Sequence, residues 1–372
     1  MNSASGELVL KVDNTVRFSL LTLAFIASVW ALYVTRDIMA PFALAIFIWL
    51  IIDAFARWMD KLSPKIPYWL ALTIAVLTIV LGFVGIVLII TDTAGDIARE
   101  APRYNSRIQE LLQMVGGLFG NPDLDYGDID RQFGITNNLN KGIAGFASSV
   151  QGVLSNFSII ALYVIFLFAA QSGFSKKMEN IFPAGEKRDQ ADKIGTRIRA
   201  SIETYLGVQT VISLIQTILS YIVMQTMGLE NALFWALVIF VFNYIPVVGG
   251  LVATVLPALF ALVQYETFLP VLILFGLLNV IQTGISNTVQ PKMMGDSMNL
   301  SALVVVLALI LWGSLWGGVG AFLSAPLTVI MMIIFAEFKT TRPIAVMLSA
   351  DGDPTYDPQK KANKQELKAE SS

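Results

Sequence analysis

Five apolar runs, Phe18 to Val34, Ile38 to Ala56, Tyr68 to Thr91, about Gly152 to Ala170 and Leu206 to Met227, each approach the length of a helix that crosses a hydrocarbon layer ~30 Å thick. In lipid such a run is stable as a helix, because every backbone donor then finds an acceptor within its own segment. Three more apolar blocks, 232–263, 269–288 and 301–335, bring the total to about eight hydrophobic segments. The chain is 55% hydrophobic and 14% charged over 372 residues, more apolar surface than a soluble domain can cover. An all-α, polytopic membrane protein follows. Lys11 and Arg17 precede the first run and Ala43-Leu44-Ala45 offers a cut site, but the apolar pattern continues into a second span, which argues against a cleaved signal peptide.

Lysine and arginine set the expected orientation. They flank the first two spans (Lys11, Arg17, Arg57, Lys61, Lys65) and cluster after the fourth (Lys176, Lys177, Lys187, Arg188, Lys193, Arg197, Arg199). These segments are expected in the cytoplasm, with both termini. Residues 92–148 carry eight acids and five bases and suit the opposite side. The layout expected is a cytoplasmic N-terminus (1–17), N-terminal spans (18–91), an extracytoplasmic helical insert (92–148), a core (149–341) with a cytoplasmic amphipathic helix (186–205), and a mostly disordered cytoplasmic tail (342–372). In the insert, Ile97, Ala101, Tyr104, Ile108, Leu111, Val115 and Leu118 recur at helical spacing, and Pro102 is expected to kink or restart that helix.

Two blocks are too long for one straight crossing. As single helices, 232–263 and 301–335 would extend about 48 and 52 Å. The first is interrupted by Asn243-Tyr244-Ile245-Pro246 and Gly249-Gly250, the second by Trp312-Gly313-Ser314-Leu315-Trp316-Gly317-Gly318 and later Pro326. Proline removes an amide donor and glycine tolerates tight-turn dihedrals, so each block is a kinked crossing or a re-entrant hairpin. Backbone groups freed at membrane depth need protein or a wet cavity to satisfy them.

Polar stripes lie beside these breaks. Gln209, Ser213, Gln216 and Ser220 share one side of span five; Asn279, Gln282, Ser286 and Gln290 share one side of the next crossing, before Pro291. One such group could simply tie helices together, worth about 0.6 kcal/mol per contact. Two complete stripes fit an uncharged solute path suited to hydroxyl-rich molecules. Asp53 with Arg57 four residues on reads as an interfacial ion pair, and these two, Glu203, Lys292 and Asp296 are the candidates for coupling or gating. A net charge of −2 without a basic stripe gives no expectation of nucleic acid. With no cysteine and no histidine, no metal site, cofactor or enzymatic chemistry is expected.

The segments "FNYIPVVGGLVATVLPALFAL", "VQPKMMGDSMNLSALVVVLALILWGSLWGGVGAFLSAPLTVI" and "RPIAVMLS" resemble the autoinducer-2 exporter family of bacterial inner-membrane transporters, over about 18–349. At Gly250 many relatives carry proline or serine instead. The resemblance implies secondary export of a small polar solute such as the quorum signal autoinducer-2, from a homo-oligomer such as a pentamer in the inner membrane. Some relatives exchange sodium or lithium for protons, so a proton or sodium ion is a second expected partner; a non-transporting scaffold is the remaining alternative. The same resemblance implies that Asn243, Tyr244, Gln282, Ser286, Asn287 and Gln290 line the route. Pro246 and Gly249 would shape the break, and Lys292 the second turn. No phosphate-binding Gly-rich motif with lysine is present, so direct use of ATP is not expected.

Overall fold

A computed structural model describes residues 14–62, 67–118, 157–171, 185–294 and 299–354, with a few isolated positions between 173 and 181. The helices are α1 (Asn14–Val34), α2 (Arg36–Leu62), α3 (Tyr68–Leu118), α4 (Phe157–Gln171), α5 (Glu186–Thr226), α6 (Ala232–Phe242), α7 (Val248–Gln264), α8 (Phe268–Gly284), α9 (Gln290–Met294), α10 (Ala302–Glu337) and α11 (Arg342–Leu348). A π-helical turn, Ile285–Val289, joins α8 to α9. Among the described residues five helical stretches, Arg36–Asp60, Tyr68–Ile97, Arg188–Thr226, Phe268–Met293 and Ala302–Glu337, have the length and apolarity of a membrane crossing, the last of them reversing within itself at Gly317, and the protein is a multi-pass membrane protein.

α5 is the spine. Its 41 residues extend about 62 Å, with the amphipathic segment and span five fused into one rod. It ends at Gly228, whose φ of 73° lets the Leu229 amide reach the Met224 carbonyl and the Gly228 amide reach the Gln225 carbonyl. Leu229 and Met224 are both buried against α6, so the helix stop also sets the direction of the next element.

The block 232–263 is a helical hairpin. α6 and α7 reverse at Tyr244–Val247, and their far ends meet again: the Glu230 amide donates to Gln264 Oε1 at 2.8 Å, and Gln264 Nε2 donates to the Gly228 carbonyl at 2.8 Å. Between base and tip, Trp235 on one arm lies 5.2 Å from Phe260 on the other. The left-handed residue at the tip is Val247 (φ 66°), not one of the glycines expected to make the turn. Gly249 is helical and serves a different purpose: a Cβ there would stand 2.5 Å from the Phe242 carbonyl, so its bareness lets the arms close.

The block 301–335 folds the same way. α10 reverses at Gly317 (φ 61°, ψ −139°), and a Cβ on Gly320 would lie 1.9 Å from the Trp312 carbonyl. Trp312 Nε1 donates to Thr328 Oγ1 on the returning arm at 3.3 Å. Gly318, by contrast, meets no such close neighbour.

The two hairpins approach from opposite ends of α5. The first has its base beside Met227, to whose carbonyl the Tyr265 hydroxyl donates at 2.9 Å. The second has its base near the start of α5, where Gln190 Nε2 donates to Glu337 at 3.3 Å and Arg197 to the Pro354 carbonyl at 2.7 Å. The tips meet midway, where the Tyr244 and Phe322 rings stack at 5.0 Å. Ala45, Ala56, Ala71 and Ala75 let α2 and α3 pack closely at one side, with Val164 of α4.

Two expectations are corrected. α3 runs on through Pro102, so the helix does not restart there and span three and the first insert helix are one continuous 51-residue helix; the rest of the insert, with Asn121 to Asn140, lies outside the described residues. Residues 342–354, expected within a disordered tail, instead fold: Ala345 is fully buried against Met332 and Ala336, and the Ser301 amide donates to the Leu348 carbonyl at 3.1 Å. Asn299 Nδ2 then donates to Asp351 Oδ1 and to the Asp353 carbonyl, both at 2.8 Å, closing a clasp.

Gly320→Ala is expected to force the second hairpin apart and to destabilise by about 1–3 kcal/mol. Gly276→Ala, with open space around its Cβ, should be neutral or slightly stabilising; thermal unfolding in detergent compares them. In the clasp, the Asp353 amide and then Asn299 hold the Asp351 carboxyl below its ordinary value of 3.8. Its contribution is therefore complete above that value and lost as pH falls through the lower folded-state pKa. Hydrogen exchange of the Ser301 and Ala350 amides, corrected for intrinsic rate, should stay protected down to about the ordinary aspartate pKa and lose protection below it.

Candidate functional site

The chain reversal at the first tip strips backbone groups of their in-helix partners, and side chains from α5 replace them. Gln209 Nε2 donates to the Asn243 carbonyl at 2.7 Å, and the Tyr205 hydroxyl to the Tyr244 carbonyl at 3.4 Å. The Tyr244 hydroxyl is 2.7 Å from Thr210 Oγ1. Tyr244 is thus held at its carbonyl, its hydroxyl and its ring face.

From this tip a relay of carboxamides crosses three elements. Asn243 Nδ2 donates to Gln216 Oε1 at 3.1 Å; Gln216 Nε2 donates to Gln282 Oε1; Gln282 Nε2 donates to Ser286 Oγ at 2.8 Å. Gly250 belongs to this relay and not to the turn, because a Cβ there would lie 3.0 Å from Gln282 Nε2. The relay ends in the π-helical turn, where the Gln290 amide donates to the Ile285 carbonyl. Pro291 has no amide to offer Asn287, and the helix widens there to close around the missing bond.

The relay contains no ionised group, yet it has unused hydrogen-bonding capacity. Gln209, Ser213, Gln216 and Ser220 are all at least 96% buried, and the hydroxyls of Ser213 and Thr217 are buried with no hydrogen-bond partner among the described residues. Burying a hydroxyl unpaired costs about 1–3 kcal/mol.

Other expected path residues stand apart. Asn279 donates to the Phe275 carbonyl of its own helix at 2.9 Å. Asn287 is exposed, Gln290 is half-buried, and Pro291 and Lys292 are exposed. Asp296 lies outside the described residues.

Asp53 and Arg57 form the expected ion pair, at 3.0 Å, within a larger set. Asp53, 1% exposed, also accepts from Tyr68 at 2.5 Å and from Arg199. Glu203 accepts from Arg57 at 2.5 Å and from Arg199 at 2.7 Å. Two carboxylates and two guanidinium groups, with Tyr68, thereby lock α2 and α3 to α5. The i, i+4 spacing of Arg199 and Glu203 was a legible signal for one edge of this cluster; nothing in the sequence pointed to Tyr68.

Of this set only Asp53 is buried, and removing its charge leaves two guanidinium groups without their buried counter-charge. Asp53→Asn is expected to destabilise by about 3 kcal/mol, and Glu203→Gln, at a quarter-exposed site, by clearly less, as read by thermal unfolding in detergent.

The family described as AI-2E family transporter matches residues 20–340. Among curated proteins the chain is similar to a putative transport protein of Haemophilus influenzae, 29% identical over 84% of this chain and 90% of the relative. It is also similar to the AI-2 transport protein TqsA of Escherichia coli, 28% identical over 84% and 90%. The putative transport protein YhhT of Escherichia coli is 25% identical over 90% and 95%.

Proposed function

This chain belongs to the AI-2E transporter family, and on that premise we propose that it is a secondary transporter whose solute crosses where the two hairpin tips meet. One observation carries the reading: helical hairpins from opposite ends of α5 meet at Tyr244 and Phe322, next to Asn243, where an uncharged carboxamide relay begins, and α5 carries beside that relay buried hydroxyls with no hydrogen-bond partner among the described residues. The arms of the first hairpin, 11 and 17 residues, reach about 16 and 25 Å, short of the ~30 Å layer. It therefore reads as re-entrant from outside, and the second hairpin, which reverses at Gly317, as re-entrant from the cytoplasm. The basic residues Arg188, Arg197, Lys339 and Arg342 near the second base favour that orientation, with both termini inside.

Amides that donate and accept equally, with no fixed charge, suit a small neutral solute bearing several hydroxyls. The TqsA relative is an AI-2 transport protein, which supports autoinducer-2 as that solute; its export across a bacterial inner membrane by a homo-oligomer completes the proposal. Cation antiport would draw on Asp53 and Glu203, but both are already paired with guanidinium groups, and no observation favours it.

In proteoliposomes, labelled furanone signal is expected to move by a flux that Gln282→Leu lowers at least tenfold. Thr78→Val, which alters only a hydroxyl bonded to its own helix on α3, should leave flux within about twofold. Sodium-linked proton flux with no signal movement would overturn the choice of solute, and unchanged flux in Gln282→Leu would overturn the site.

A further inference from the structure

α3 does not stop at the end of its apolar span. That span closes at Ile97, yet the helix runs on to Leu118, and this extension reaches the base of the first hairpin.

Three side chains of the extension hold both arms of the hairpin. Arg103 Nη1 lies 3.0 Å from Glu230 Oε1, and the Tyr104 hydroxyl donates to Glu230 Oε2 at 3.0 Å, just before α6 begins. Arg107 Nη2 donates to the Glu266 carbonyl at 2.6 Å, just after α7 ends. Tyr104 is 8% exposed and sets its ring edge-on to Phe260, 5.6 Å away. Burial, and then the hydrogen bond to Glu230, push its pKa well above the ordinary tyrosine value, so it remains a donor. A cleft of about 450 Å³, lined by Asp96, Arg99, Glu100, Tyr104, Glu230 and Asn231, opens beside these contacts.

We infer that the extension of α3 is a latch on the base of the first hairpin, and that its release opens the carboxamide relay toward the face on which the extension lies. The inference rests on the reading of the relay as the solute site. Gln264 ties the two arms together at the base, so the hairpin moves as one body, and a tip leaving α5 must rotate about that base. Contacts to both arms from one continuous helix resist this rotation. Arg103 and Glu230 are partly exposed, and exposed ion pairs are individually weak, which suits a contact that has to release. The second hairpin is held at its own base by Gln190 of α5, which donates to Glu337.

The chain has no cysteine, so Ser213→Cys introduces a single thiol on α5 one turn before Gln216 of the relay, in place of a buried hydroxyl with no hydrogen-bond partner among the described residues. The experiment measures how fast a membrane-impermeant maleimide labels it when added to either face of oriented vesicles. Glu230→Gln should raise the rate about tenfold from the face carrying the α3 extension and leave the other face unchanged, and Tyr104→Phe should act in the same direction. Arg103→Glu should raise it as well, and adding Glu230→Arg to that variant should bring it back down. Parental rates in both Glu230→Gln and Tyr104→Phe would overturn the latch while leaving the solute site standing. A thiol labelled from neither face in any background would overturn both.

Discussion

The Asn243 carbonyl takes its hydrogen bond from Gln209 on a different helix, and much of the architecture follows from that substitution. A chain that reverses inside an apolar layer strands backbone groups that water cannot reach. The reversal persists because α5 presents Gln209, Tyr205 and Thr210 at the level of the tip. The same requirement explains why the polar residues of α5 occupy one side over several turns.

Around this point the work is divided among rigid parts. α5 supplies a reference rod to which both hairpins are fitted, and the cluster of Asp53, Arg57, Arg199 and Glu203 fixes that rod to α2. Close approach within each hairpin depends on one bare glycine, Gly249 in the first and Gly320 in the second. Association between apolar helices in lipid gains little from the hydrophobic effect, so such close backbone contacts and the few interhelical hydrogen bonds carry the packing.

Length and spacing made a good part of this legible in the sequence. Blocks too long for the layer had to break, and the stripe of Gln209, Ser213 and Gln216 marked the face that meets the break. What stayed hidden depends on contacts distant in sequence. Gly320 looks no different from Gly318 until Trp312 is seen behind it, and Gly250 looks like a turn residue until Gln282 is seen lying on it. The left-handed Val247 runs against the local preference of a β-branched residue; its side chain is exposed, and the turn is held by the Val248 amide donating to the Pro246 carbonyl at 2.7 Å and the Gly249 amide to the Ile245 carbonyl at 2.9 Å. The continuity of α3 through Pro102 was equally unreadable, since proline removes one hydrogen bond but does not oblige a long rod to end.

The stacked rings of Tyr244 and Phe322 belong to different hairpins yet form one partition. If a solute crosses at this contact, as proposed, and the hairpins withdraw one at a time, the ring left behind still blocks the way, as the inner door of an airlock does while the outer one stands open. A leak would then require both aromatic leaves to part together.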